Sequence, residues 1–100
     1  MQSKLFLLFK SPHEFTGLDM LDKIAGPSKR GVILFEDAAY YAVDPSKGKK
    51  LLEVGKEVYV MKDDLSARGF AGKAIPGFQE IDYHQAVDLI MEKFDQTITL

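Results

Sequence analysis

The sequence predicts an α/β domain of three layers, with a mostly parallel central sheet of about four to five strands between helices. Three observations carry that expectation. The apolar runs Leu5–Phe9, Val32–Phe35 and Val58–Met61 do not alternate with polar residues, and unbroken apolar strands belong to sheets covered on both faces. Segments with helical spacing separate the runs, giving a β-α-β-α order that calls for parallel strands joined by right-handed crossovers. Finally, 46% apolar and 28% charged residues is the balance of a folded globular chain. At 100 residues the chain is the size of one domain, spanning 1–100.

Taken in order, Met1 to Phe9 has neither a basic n-region nor a small-residue cleavage site and is too short to span a bilayer. It reads as the first buried strand of a cytoplasmic protein. Thr16-Gly17-Leu18-Asp19 has the form of a capping box, after which Leu18, Leu21, Ile24 and Ala25 keep helical spacing until Gly26-Pro27 stops the helix. Asp37–Val43, after the second strand, reads as a short helix or an irregular turn. Asp44–Gly48 is a loop by composition, and Lys49–Val54 is a helical segment closed by Gly55. After the third strand, Asp63 is placed to cap a short turn, Asp64–Arg68, with Gly69 as its stop. Phe78–Ile81 is a weaker strand. The last helix starts at Asp82 with Gln85 completing a capping box, and Tyr83, Val87, Ile90, Met91 and Phe94 form its apolar face, away from Asp88, Glu92 and Lys93.

Charge and composition exclude several functions. Thirteen basic against fifteen acidic residues, a net charge of -2, is not the strongly basic balance of a nucleic-acid-binding domain. Lys47, Lys49 and Lys50, with Lys56 nearby, read as a solvated loop. There is no cysteine, so disulfides, thiolate zinc sites and any cysteine-borne chemistry on this chain are excluded. The first strand-to-helix turn, Lys10-Ser11-Pro12-His13-Glu14, lacks the glycines of a dinucleotide fingerprint or P-loop. No cofactor or metal is expected.

The carboxyl ends of the strands gather Lys10–His13, Glu36-Asp37, Lys62–Asp64 and Asp82, where α/β folds meet ligands and partners. His13 and His84 read as surface residues, and an enzyme using His13 with Glu36 or Asp37 ranks lowest among the functional readings. The acidic pairs Glu36-Asp37 and Asp63-Asp64 read as caps for helix amides. Tyr40 and Tyr41 are adjacent and cannot both face the core, so one is exposed, and an exposed tyrosine suits a protein interface. Arg68, one of two arginines, is placed to anchor a carboxylate within the subunit or across an interface.

The stretch from Val58 to Gly72, with its strand, acidic turn, Asp64-Leu65-Ser66-Ala67-Arg68-Gly69 and a further glycine, is similar to the signature of the DsrH/TusB family. Ser11-Pro12 after the first strand, Val32–Asp37, Tyr41-Ala42-Val43 and Ile81-Asp82-Tyr83 extend the resemblance over nearly the whole chain. The resemblance implies a DsrE/DsrF-like fold. In that group TusB-like subunits join TusC-like and TusD-like subunits in a heterohexamer. The complex passes persulfide sulfur toward 2-thiolation of the tRNA wobble uridine, and its DsrEFH counterpart serves sulfur oxidation. The sulfur-carrying cysteine belongs to the TusD/DsrE subunit. Some DsrH proteins have a cysteine in the first helix; here that neighbourhood reads Leu18-Asp19-Met20-Leu21, and a thioether forms no persulfide.

The resemblance therefore implies a non-catalytic subunit that supports a cysteine-bearing partner, with TusC/DsrF-like and TusD/DsrE-like chains as its partners. Exposure and motif position place the contact surface at Asp37, Tyr40, Tyr41, Arg68 and Gly69. The alternative is a stand-alone DsrE-like homo-oligomer that binds a small molecule at the strand ends and has no sulfur role.

Overall fold

The computed structural model describes residues 2–15 and 17–100. Among them, β1 (Ser3–Leu8), β2 (Lys29–Leu34), β3 (Glu57–Met61), β4 (Phe78–Ile81) and β5 (Gln96–Thr99) form a sheet ordered β4-β3-β2-β1-β5, every neighbouring pair parallel. The helical elements are α1 (Leu18–Ala25), a 3₁₀ segment (Glu36–Val43), α2 (Pro45–Gly55), α3 (Lys62–Ala67) and α4 (Tyr83–Asp88), which runs on as a π turn (Leu89–Lys93).

Strand order decides where the helices go. The steps β1→β2→β3→β4 all advance in one direction across the sheet, so right-handed crossovers put α1, α2 and α3 on one face. The step β4→β5 returns across the whole sheet, which sends α4 to the other. The strand side chains divide accordingly, with the two-residue period of a pleated strand. Phe6, Leu8, Val32, Leu34, Val58 and Val60 join one buried cluster with Leu21, Leu51 and Leu65. Leu5, Ile33, Tyr59, Met61 and Ile81 join a second with Ala86, Leu89 and Phe94. The unbroken apolar runs are thus strands buried on both sides.

Four local expectations need correction. The segment Asp44–Gly48 is not a loop: the Asp44 carboxylate accepts the amides of Ser46 and Lys47 at 3.1 and 3.0 Å, and Pro45 occupies the first turn, where its missing N–H costs nothing. Lys47, Lys49 and Lys50 therefore lie on a helix. Asp63 is inside the first turn of α3 rather than at its cap, which is Met61. Strand β5 adds an edge to the sheet beyond the four expected strand segments; it pairs Ile98 with Phe6, and its start is tied to β1 by Ser3 N–H on Asp95 Oδ2 (2.9 Å) and Asp95 N–H on Ser3 Oγ (3.0 Å). The capping box at Asp82 and Gln85 is present, and of the expected apolar face Phe94 is buried and Ile90 packs against the core, but Tyr83, Val87 and Met91 are exposed while Ala86 and Leu89 are buried. Ala86 and Leu89, three apart, share the inward side of the helix, and Phe94, just past the π turn, returns to the same cluster. The Thr16 side of the expected α1 capping box lies outside the described residues.

Candidate functional site

The carboxyl end of β2 leads through Phe35 into Glu36, which takes a left-handed conformation (φ +50°). That backbone is unfavourable for a residue with a Cβ, and a tertiary contact holds it: the Glu36 amide donates to Asp64 Oδ2 at 2.8 Å. The 3₁₀ segment then turns once every three residues. Asp37 and Tyr40, three apart, share its outer side, while Ala38, Ala39, Tyr41 and Ala42 are buried.

Next to it, β3 runs directly into α3, which sets Asp64 and Arg68 one turn apart. Arg68 crosses to the 3₁₀ segment and donates Nη2 and Nε to Asp37 Oδ1 at 2.7 and 3.2 Å. Its Nη1 donates to the Asp64 carbonyl at 3.2 Å and stands 3.9 Å from the Asp64 carboxylate. The guanidinium also lies 5.9 Å from the Tyr40 ring centroid, and the Phe70 ring meets Tyr40 edge-on at 5.9 Å. Hydrogen bonding to Asp37 raises the Arg68 pKa above its ordinary value; burial works against this, and the charges of Asp37 and Asp64 reinforce it. Arg68 is a fixed positive centre.

Gly69 has a structural task beside this cluster. With φ +81°, it lets its own amide reach the Ser66 carbonyl (3.1 Å) and the Phe70 amide reach the Leu65 carbonyl (2.8 Å). This paired ending satisfies the last carbonyls of α3 and swings Phe70 back toward Tyr40.

Four of the five expected contact residues, Asp37, Tyr40, Arg68 and Gly69, are therefore gathered in one place. Tyr41 is not among them. It is 1% exposed, against 38% for Tyr40, and its hydroxyl points inward toward the Phe15 carbonyl at 3.5 Å. Burial, and then the nearby charge of Asp44, raises its pKa. Nothing local in the sequence marks Phe70 as part of this cluster, because the chain doubles back only through the turn at Gly69.

Beside the cluster lies a depression of about 600 Å³ whose lining includes His13, Asp37, Tyr40, Val43 and Asp44. His13 faces Lys47, whose Nζ is 3.4 Å from its Nδ1, and makes no hydrogen bond with Glu36 or Asp37 among the described residues. Among the described residues no group of three or more His, Cys, Asp or Glu could hold a metal ion, and no helix is long and apolar enough to cross a membrane.

A family model described as DsrH-like protein matches residues 10–96. Among solved structures, the crystal structure of the ychN protein from E. coli superposes over 100% of both chains with a TM-score of 0.82 at 14% sequence identity. At that identity the likeness is one of fold. No curated protein matches the chain.

Proposed function

The chain belongs to the DsrH-like family, a family of sulfur-relay subunits, and from that premise we propose that it is a non-catalytic subunit of a cytoplasmic sulfurtransferase complex. It holds a DsrE-like partner whose cysteine carries the sulfur, together with a DsrF-like chain, in an assembly of the TusBCD/DsrEFH type. The product sulfur goes toward 2-thiolation of the tRNA wobble uridine or into sulfur oxidation. One observation carries the reading: a chain of this family contains no cysteine. Relay proceeds by thiolate attack on a persulfide or disulfide sulfur, so every covalent step must take place on another chain.

The cluster of Asp37, Tyr40, Arg68 and Gly69 supports a contact role. A rigid arginine fork and an exposed tyrosine at the strand ends are chemistry suited to protein recognition. Co-production with the DsrE-like and DsrF-like chains, followed by mass measurement and transfer of labelled persulfide sulfur, tests the proposal. The expected result is a stable hetero-complex in which label moves only through the partner's cysteine. A chain that stays monomeric beside them overturns it.

A second reading, a homo-oligomer that binds a small molecule, draws on the depression beside His13, Asp37 and Tyr40. A symmetric homo-oligomer with a ligand bound there, and no hetero-complex, is its distinguishing outcome.

A further inference from the structure

The outer surface of α4 and its π turn carries Tyr83, Val87 and Met91 at 73%, 36% and 74% exposure. Spaced four apart, they form one continuous apolar stripe. Beside the stripe a groove of about 440 Å³ opens between this helix and the edge of the sheet, floored by Tyr59, Ile81 and Leu89 and bordered by Gln79, Gln85, Asp88 and Glu92, with Lys93 the one cation on its rim among the described residues. The groove follows from the topology. Five strands set about 4.8 Å apart span roughly 19 Å, whereas one helix is about 10 Å wide, so α4 alone leaves part of this face uncovered.

Charge indicates what covers it. Between Gln79 and Gln96 the chain has five carboxylates, Glu80, Asp82, Asp88, Glu92 and Asp95, and one lysine, Lys93. Asp22, Asp37 and Asp64 elsewhere are each paired with an arginine, but Asp88 and Glu92 have no ion-pair partner among the described residues. A second copy is a poor occupant. A two-fold contact centred on Val87 would set Asp88 beside the other copy's Asp88 with both copies' Glu92 on the same flank, a like-charge contact that disfavours self-association.

We propose that the α4 stripe and its flanking groove dock an unlike protein subunit whose contact face presents apolar anchors ringed by lysines or arginines. This rests on the hetero-complex reading above and adds a second contact surface, on the face of the sheet opposite α1, α2 and α3. Apolar anchors in a groove surrounded by complementary charge are the usual anatomy of such a contact.

The test uses the whole chain co-produced with the DsrE-like and DsrF-like chains. Tyr83→Asp combined with Met91→Asp alters only exposed side chains, so circular dichroism should be unchanged while co-purification falls at least about tenfold. Asp88→Lys combined with Glu92→Lys should weaken assembly and reduce its sensitivity to salt. A wild-type complex that the Tyr83/Met91 variant still forms at full yield overturns the α4 surface and leaves the functional reading standing. A wild-type chain that self-associates through α4 overturns the assignment to an unlike partner. A wild-type chain that stays monomeric beside both chains overturns the hetero-complex reading, and the α4 surface with it.

Discussion

Three helices and a 3₁₀ segment cover one face of the sheet, whereas α4 and its π turn cross the other alone. On the first face helices close over the strands, while Met20 on α1 and Tyr40 still reach solvent and a depression of about 600 Å³ opens beside the 3₁₀ segment. Leu21, Leu51, Leu65 and Tyr41 are buried against the strands, and Arg68 and Arg30 bind carboxylates on neighbouring segments. On the second, large apolar side chains reach solvent beside unpaired acids and an open groove. The difference arises from strand order, since a single return crossover supplies a single helix. A sheet built this way is covered by several helices on one side and by a single helix on the other, where room for a further layer remains.

That contrast breaks first if truncations on the two sides have equal effects. Leu51→Ala, which empties a fully buried site between α2 and the sheet, should lower stability by about 2–5 kcal/mol. Met91→Ala should change it by less than about 0.5 kcal/mol. Urea denaturation of both variants measures the gap, and similar losses would mean that the α4 stripe is already buried in the isolated chain.

Glycine substitutions sharpen the same comparison. A Cβ on Gly48 would strike the Tyr41 carbonyl oxygen and lie 3.3 Å from the Phe78 ring, and a backbone atom in a closed layer cannot step aside. On the other face, a Cβ on Gly31 would meet the Phe94 ring at 2.6 Å, and a side chain beneath a single helix can turn. Overpacking of this kind destabilises by about 1–3 kcal/mol. Gly48→Ala should fall at the upper end and Gly31→Ala at the lower, by thermal or chemical denaturation.

How much of this was legible in the sequence follows the same division. Strands β1, β2 and β3 were visible because burial on both faces makes their apolar runs continuous. Strand β5 was not, because three of its four residues, Gln96, Thr97 and Thr99, are polar and exposed at the sheet edge. On the last helix the expected apolar face divides: Ile90 and Phe94 meet the core, whereas Tyr83, Val87 and Met91 keep helical spacing on the exposed side, and spacing alone does not separate the two sets. In the candidate site, Asp37, Tyr40, Arg68 and Gly69 could be chosen from motif position and polarity. The pairing of Arg68 with Asp37 spans 31 residues and depends on β2 and β3 being neighbours. Which of Tyr40 and Tyr41 faces outward is set by the 3₁₀ turn and not by either residue's chemistry.

The Arg68 cluster ranks next in size. Arg68→Ala removes both bonds to Asp37 and the support beneath Tyr40. Because Asp37 is exposed, the loss should be about 1 kcal/mol and smaller at high salt. Gly69→Ala should have a similar effect for a different reason, since a left-handed residue with a Cβ costs about 1 kcal/mol and no neighbour crowds the position. Salt separates the two: only the Arg68→Ala loss should shrink as ionic strength rises.

The smallest effect lies at alkaline pH, where one tyrosine from each face reports on its surroundings. Tyr41, on the closed face, has its pKa raised from 10.0 by burial and then by Asp44. Tyr59, at the groove, has its own raised by burial, then by the charge of Glu57 and by the hydrogen bond its hydroxyl donates to Glu57. Below pH 10 the phenols are protonated in both folded and unfolded chains, and neither makes stability depend on pH. As pH climbs past 10.0 the unfolded chain releases its protons first, so the folded state loses ground until the raised folded-state pKa of each tyrosine is passed. Denaturation curves between pH 9 and pH 11 should fall less steeply for Tyr41→Phe and for Tyr59→Phe than for the parent chain. Addition of the partner chains distinguishes the faces: a subunit seated in the α4 groove buries Tyr59 further and raises its pKa again, whereas Tyr41, already sealed, keeps the same alkaline profile. Equal responses from the two tyrosines would place the partner elsewhere on the molecule.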